Sequence, residues 1–403
     1  MALAFALMLV SCSDSEGVVE EQPRLDVRAD ATLTNTHAAA AEGHEHRIDY
    51  ARFDRRLERL VDEAPAMVGL AVGVVEDGEI TFLKGYGETV RGSGEQVTPE
   101  TIFRWASVSK GVAGTMAAKL DAEGKIDLDD SIARYSRTLL LPEGAQVSAR
   151  VRDVLSHRLG LWRNAYDDRL EGGKDPDEIR QQLGDLVLIC PPGTCWSYQN
   201  IAFDAVTDVV AKATGMSYQD AVAQQLFAPL GMNSATMTRE GLVNANNWAR
   251  PHSVGRRELQ VQEPYYRVPA AGGVNSNIKD MAIWMRAQMG EMPGVIPDAA
   301  LEEAHSSLVS TPNENRRMRK YRERVGDPHY GLGWRSYDYE GHHVVGHRGG
   351  VDGYRSLILF DPELKTGVVA LWNSNTGRPT GLQFEFLDLV YGLAFRDWLE
   401  LDN

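Results

Sequence analysis

The chain has 403 residues, 43% of them hydrophobic and 25% charged, which is ordinary globular composition and enough for two or three domains or one large two-lobed unit. At this length burying a substantial core presents no difficulty. A formal net charge of -15 excludes a polyanionic partner such as nucleic acid.

The chain opens MALAFALMLVSCSDSEG. Ala2 to Val10 form an apolar stretch too short to cross a bilayer as a helix, but of the length of a signal-peptide core. It ends in LVSC, which resembles the lipobox of bacterial lipoproteins, where the cysteine, here Cys12, is acylated and becomes the new N-terminus. No Lys or Arg precedes the apolar run. The expectation is export and a periplasmic lipoprotein anchored to a membrane through Cys12, with residues 1–12 as the signal segment. Residues 13–47 are rich in Ala, Glu, Thr and Asp without a sustained apolar period and read as a flexible tether. His44 and His46 stand there without a third ligand, so no metal site is read from them.

Folding is expected to begin at YARFDRRLERLVDEA, where Phe53, Leu57, Leu60 and Val61 recur at helical spacing. In GLAVGVVEDGEITFLKGYGET two apolar runs flank Asp77-Gly78, a hairpin signal. Residues 101–300 read mostly helical. IAFDAVTDVVAKATG is a helix ending at Gly215, and SYQDAVAQQLFAPLGM is a helix stopping before Pro229. The basic run ENRRMRKYRER, Glu314 to Arg324, reads as a solvated helix face, with an anionic surface or substrate as the alternative. Strands return in HHVVGHRGG, YRSLILFDP and GVVALWNS, suited to an antiparallel meander. FEFLDLVYGLAFRDWLEL closes the chain as a long amphipathic helix. Strands at both ends with helices between predict an α+β fold. Its antiparallel sheet is built from both chain ends, about 48–100 and 325–403, and is flanked by helices. A mostly helical lobe, about 101–324, is inserted, with a cleft between the lobes.

Three segments carry chemistry. Ser107 and Lys110 in FRWASVSKGVAG are three apart and share one face of a helix. A serine hydroxyl becomes a nucleophile once a neighbour removes its proton, and a lysine can do so where desolvation or nearby positive charge lowers its pKa. A helix start also offers the Ser107 N–H as an oxyanion donor. Tyr198-Gln199-Asn200 follows a Pro-Pro-Gly turn: Tyr198 can relay protons, and Asn200 can orient Lys110 or bond a substrate carbonyl. A packed tyrosine with a helix-capping asparagine is the plainer reading. His347-Arg348-Gly349-Gly350 ends a strand. There Gly350 N–H can complete an oxyanion hole and His347 can supply charge or a hydrogen bond near neutral pH, while a hairpin turn with a solvated histidine is the alternative. A proton acceptor of this kind predicts activity rising from neutral to alkaline pH. Cys190 and Cys195 flank a Pro-Pro-Gly turn and pair as a disulfide if their Cα atoms approach; two packed thiols are the alternative.

Taken in order, Ser-x-x-Lys, Tyr-x-Asn and His-x-Gly resemble the signature of the serine β-lactamase-related family, which joins class C β-lactamases, D-Ala-D-Ala carboxypeptidases, D-aminopeptidases and related esterases. VLSHRLGL, DAEGKIDLDDSI, FAPLGMNSATMT and PAAGGVNSNIKDMAIWM look familial as well, so the resemblance covers about Tyr50 to the C-terminus as one hydrolase domain, 48–403. It implies a β-lactamase/transpeptidase-like fold. Ser107 would be the acylated nucleophile, Lys110 its base or proton relay and Tyr198 the second acid/base. Asn200, His347, Arg348, Gly349 and Gly350 would bind substrate. Typical β-lactamases carry Lys-Thr-Gly where this chain has His347 and Arg348, and usually Ser at Gln199. The histidine looks more like the peptidases and esterases. Asn373, Asn375 or Arg378 in NSNTGRP would add to substrate binding. The implied activity is hydrolysis of an amide or ester through an acyl-serine, with weak β-lactam cleavage, and needs no metal or organic cofactor. Two alternatives differ in class: a penicillin-binding sensor or scaffold that acylates without turnover, and a membrane-surface adaptor acting through Arg316 to Arg324.

Overall fold

The computed structural model describes residues 47–402 apart from 313 and 315–317. Cys12, the signal segment, His44 and His46, and all of the tether but its last residue lie outside the described residues. Among the described residues no helix is long and apolar enough to cross a membrane.

Among the described residues ten strands are present in chain order: β1 Gly69–Glu76, β2 Glu79–Gly87, β3 Phe103–Arg104, β4 Asn275–Ser276, β5 Val309–Ser310, β6 His329–Tyr330, β7 Arg335–Tyr339, β8 His342–Val351, β9 Tyr354–Asp361 and β10 Thr366–Trp372. Eight form one antiparallel sheet in the order β2-β1-β10-β9-β8-β7-β6-β5, and β3 pairs with β4 separately. The N-terminal hairpin thus joins the C-terminal meander through β1 and β10, with Leu70 opposite Trp372 and Val74 opposite Val368. The sheet built from both chain ends is as expected. Asp77 and Gly78 take φ of 51° and 82°, the doubly left-handed turn that a two-residue hairpin favours.

The central strands are apolar throughout because both faces are covered. Ala71 and Val75 of β1 enter one core while Leu70, Val72 and Val74 enter the other. β9 and β10 alternate in the same way. Helix α1, Tyr50–Glu63, covers the second core with Phe53, Leu57 and Leu60, and its first turn is capped by Asp49, which accepts from Arg52 N–H at 2.9 Å. Phe384, Phe386 and Leu387 of the helix Leu382–Val390 share that face. The opposite core holds helix α2, Ser109–Ala122, and the helix Ile278–Gln288. The helix Val206–Thr214 ends at Gly215, whose φ of 71° caps it as expected.

Three local expectations are corrected. The C-terminal helix stops at Val390, because Gly392 turns left-handed (φ 62°) and the chain folds back, with Trp398 Nε1 donating to Asp388 at 2.9 Å. The helix begun at Tyr218–Val222 runs through a wider π-type turn at Ala223–Phe227 and on past Pro229 to Leu230; the extra residue in that turn relieves the demand for a proline N–H. The basic run is solvated only in part: among its described residues Arg319, Lys320, Arg322 and Glu323 are exposed. Glu314, Met318 and Tyr321 are buried, and buried Arg324 pairs with Asp388 and donates to the Ala394 carbonyl at 2.7 Å.

Close packing on α2 makes two of its glycines obligatory. A Cβ at Gly114 would sit 1.7 Å from the Leu332 carbonyl oxygen, and one at Gly111 would sit 2.6 Å from the Trp334 ring. Gly114→Ala is therefore expected to destabilise the fold by about 3 kcal/mol in urea unfolding, whereas Gly294→Ala, which meets no atom within 4 Å, is expected to change it by less than about 0.5 kcal/mol. Equal midpoints for the two variants would contradict this packing.

Candidate active site

Trp105 anchors the site. Its backbone N–H donates to Val274 O at 2.9 Å, its indole Nε1 donates to Ser276 Oγ at 2.9 Å, and the Ser356 hydroxyl on β9 donates to its carbonyl at 2.6 Å. The following residue, Ala106, has a φ of 48°, a left-handed conformation that costs a Cβ-bearing residue about 1–2 kcal/mol. This kink starts the short 3₁₀ turn Ala106–Val108 that leads into α2. Ser107 is the one residue between Phe103 and Lys110 that is not buried. β8 presses on the same kink, since a Cβ at Gly349 would lie 2.2 Å from the Trp105 carbonyl oxygen and 3.1 Å from Ala106 Cβ. Only glycine allows that approach.

Lys110, in the first turn of α2, is wholly buried. Burying an ammonium unpaired costs several kcal/mol. Here Nζ donates to Asn200 Oδ1 at 2.7 Å and to the Ala271 carbonyl at 2.8 Å, and it lies 4.8 Å from the Tyr198 ring centroid and 5.4 Å from that of Phe203. Asn200 passes the contact on, its Nδ2 donating to Asp167 Oδ2 at 2.7 Å. Burial pushes the Asp167 carboxyl up, against the opposing pull of Asn200 and of the Lys110 charge. Asn200 is not among the residues that line the cavity; its side chain is engaged by Lys110 on one side and Asp167 on the other.

Ser107 and Tyr198 line one cavity of ≈ 770 Å³, together with His347, Arg348, Gly349 and Gly350. The walls are strongly charged: Arg104, Arg163, Arg335 and Arg355 also line it, against Glu171, Glu314 and Asp352. Arg163 and Arg335 lie 5.4 Å and 5.9 Å from the Tyr198 ring centroid, so that ring has cations on several sides. Arg348 lines the cavity and donates to Met318 Sδ at 3.3 Å, which settles its direction against bulk solvent. Among the described residues no cluster of His, Cys, Asp and Glu is arranged to hold a metal ion.

Two expectations fail here. His347 is neither in a turn nor a source of charge: it sits inside β8, 1% exposed. Burial, then the charges of Arg335 and Lys110, hold its imidazole well below the usual histidine range. The loop after β10 contributes differently from what was expected. Asn373 is buried and accepts from Gly69 N–H at 2.8 Å, Asn375 accepts from Gly353 N–H at 2.9 Å, and Arg378 pairs with Glu400 at 2.9 Å. These three staple the loop, while Gly377 and Thr380 reach the cavity. Sequence reasoning missed Asp167, Glu314, Tyr330 and Arg335 and gave no role to His157, whose only signal was its place in VLSHRLGL.

Cys190 and Cys195 are joined by a disulfide, with Cα atoms 6.3 Å apart. It closes the turn at Gly193 (φ 83°), whose N–H donates to Arg158 O at 2.7 Å, and it leads directly into Trp196–Asn200.

A family description, Beta-lactamase, matches residues 57–390. The chain belongs to the β-lactamase family. That places it in the serine hydrolase superfamily. It is 27% identical over 347 residues to an unguisins hydrolase of Aspergillus campestris, covering 81% of this chain and 62% of that protein. It is 23% identical over 325 residues to protein flp of Staphylococcus aureus, covering 76% of this chain and 60% of that protein. The chain therefore spans about three fifths of the length of these relatives. Two solved structures share the fold. The octameric penicillin-binding protein homologue from Pyrococcus abyssi superposes with a TM-score of 0.75 at 24% identity, over 86% of this chain and 78% of that one. A D-stereospecific amidohydrolase from Streptomyces sp. gives 0.64 at 23% identity, over 81% and 95%.

Mass spectrometry of the alkylated protein is expected to find Cys190 and Cys195 modified only after reduction; modification without reductant would contradict the bridge. A second expectation concerns acid. Burial holds the His157 and His347 imidazoles well below the usual range, so the unfolded chain binds protons that the folded chain refuses. The stability this represents is complete above about pH 6.5 and is lost as pH falls below it, by up to about 1.4 kcal/mol per pH unit for each ring. Urea midpoints are expected to drop between about pH 7 and pH 5; a flat midpoint would contradict two neutral buried imidazoles.

Proposed function

We propose that the chain hydrolyses an amide or ester bond through an acyl intermediate on Ser107. One observation carries the reading. Ser107 and Tyr198 face the same cavity, and the Lys110 amine is buried beside the Tyr198 ring, 4.8 Å from its centroid. Two of the Lys110 hydrogen-bond directions are taken by Asn200 and Ala271, which leaves one for the reacting oxygens.

In this reading Ser107 Oγ bonds to the substrate carbonyl carbon as its proton passes to the Lys110–Tyr198 pair. The backbone N–H groups of Ser107 and Gly350 receive the oxyanion. Collapse breaks the carbon–nitrogen or carbon–oxygen bond, and the leaving group takes the proton by way of Tyr198. Water then repeats the sequence on the acyl-Ser107 ester and frees the acid. Gly349 lets β8 come close enough to the Trp105–Ser107 turn for both N–H groups to serve one oxygen. Arg348 and the other arginines in the wall favour a substrate with an anionic group. The substrates we propose are D-amino-acid peptides of the cell-wall type, small esters, and β-lactams at low efficiency. The names of two similar proteins support the reading: an unguisins hydrolase supports hydrolysis, and a D-stereospecific amidohydrolase supports an amide. Export with lipid attachment at Cys12 is part of the proposal and rests on LVSC alone.

The test is a panel of β-lactams, D-Ala-D-Ala peptides and p-nitrophenyl esters on the wild type beside Ser107→Ala and Lys110→Ala. Steady turnover of at least one class is expected, falling by about 10³-fold or more in each variant. Turnover that survives Ser107→Ala rejects the nucleophile, and near-normal acylation in Lys110→Ala rejects the lysine as base. A lasting label on Ser107 without turnover supports the non-turnover sensor instead.

A further inference from the structure

Three buried side chains behind Tyr198 are joined end to end. His157 Nε2 lies 3.2 Å from the Tyr330 hydroxyl, and that hydroxyl lies 3.0 Å from His347 Nε2. The exposures of His157, Tyr330 and His347 are 0%, 0% and 1%, so no solvent competes. Backbone groups fix both ends. The Gln199 N–H donates to His157 Nδ1 at 3.2 Å, and His347 Nδ1 lies 2.9 Å from the Arg348 carbonyl oxygen, which can only accept.

A fixed donor at one end and a fixed acceptor at the other leave a single arrangement of protons. His157 carries its proton on Nε2 and donates to Tyr330. Tyr330 donates to His347 Nε2. His347 carries its proton on Nδ1 and donates to Arg348 O. An extra proton has no place in this series. Put on His347 Nε2, it would turn the Tyr330 hydrogen toward His157 Nε2, which would then have to move its own proton to Nδ1, against the Gln199 N–H. The surroundings oppose the extra charge as well. Lys110, Arg163 and Arg335 face His157, and Arg335, Lys110 and Arg348 face His347. The Glu314 carboxylate and the Tyr198 and Tyr337 phenols act on Tyr330 from the other side, together with the Arg335 guanidinium.

The series connects two parts of the site that are far apart in the chain. His157 brackets Tyr198: its carbonyl accepts from Ser197 N–H at 2.9 Å, its ring nitrogen accepts from Gln199 N–H, and the two rings pack with centroids 4.3 Å apart. His347 begins the stretch of β8 that lines the cavity. Tyr330, on the two-residue strand β6, closes the gap between them.

We infer that His157 and Tyr330 are positioning residues that hold the Tyr198 loop at a fixed distance from the acyl-binding strand, through a one-directional series of hydrogen bonds that keeps His347 as the neutral Nδ1–H tautomer. His347 is then a strut and takes no proton during turnover. The inference rests on the acyl-Ser107 reading for what the two held parts do, but not for the tautomers.

Nitrogen-edited NMR of the histidine rings in the intact protein tests the tautomers without reference to activity. The expected result is a neutral Nδ1–H ring for His347 and a neutral Nε2–H ring for His157 at pH 7. The opposite tautomer at either ring, or a charged His347, overturns the inference. In Tyr330→Phe the constraint on proton direction disappears, so the His347 ring should titrate upward by about one pH unit. The acid limb of kcat should follow it, and kcat should fall about 10- to 100-fold with KM little changed. A wild-type kcat and pH profile in Tyr330→Phe, with Ser107→Ala inactive, overturns the positioning role alone. Full activity of Ser107→Ala with the expected tautomers overturns the acyl-serine reading and leaves the series of bonds standing.

Discussion

The site depends on the burial of one amine. Lys110 has no solvent contact, and an ammonium in that position is tolerable only where polar atoms converge on it. They come from two separate stretches, the loop at Asn200 and the segment ending in Ala271. Moving either would cost the buried amine one of its two partners, so the demand for satisfaction holds both stretches to the start of α2. Asn200 extends the arrangement by one step, placing the Asp167 carboxylate behind the amide without a direct ion pair.

The second element is the wedge formed by β8 and the Trp105–Ser107 turn. The sheet supplies the strand and the helical part supplies the serine, and they meet where Gly349 removes a side chain and Ala106 accepts an uncommon φ. Ser356 fastens the wedge from the neighbouring strand. Conformational strain next to Ser107 persists because Trp105 is held by hydrogen bonds to Ser276 of β4, to Ser356 of β9 and to Val274 beside them.

Much of this was legible in the chain itself, for definite reasons. The strands announced themselves because Asp77-Gly78 marks a hairpin and because β9 and β10 are apolar on both faces. The three motifs stood out because nucleophile, base and relay need particular residue types at short spacing. What stayed hidden was long-range. The weak basicity of His347 comes first from burial and then from the charges of Arg335 and Lys110, neither of them in its motif. Asp167 is reached only through Asn200 and carries no local signal. Arg324 looked solvated in a basic run, but its partner Asp388 comes from the C-terminal helix. The over-long C-terminal helix was a misreading of a visible stop, since Gly392 lies inside the expected span.

The sulfur bridge has a consequence of a different kind. Closing so short a loop restricts the unfolded chain by only about 2 kcal/mol, so its main effect is local, on the residues that follow Cys195. Those residues include Tyr198 and also Asn200, which holds the Lys110 amine. The bridge thus restrains the stretch that bears both the phenol and the amide beside the buried amine. The redox history of a molecule is in this way written into one wall of its pocket.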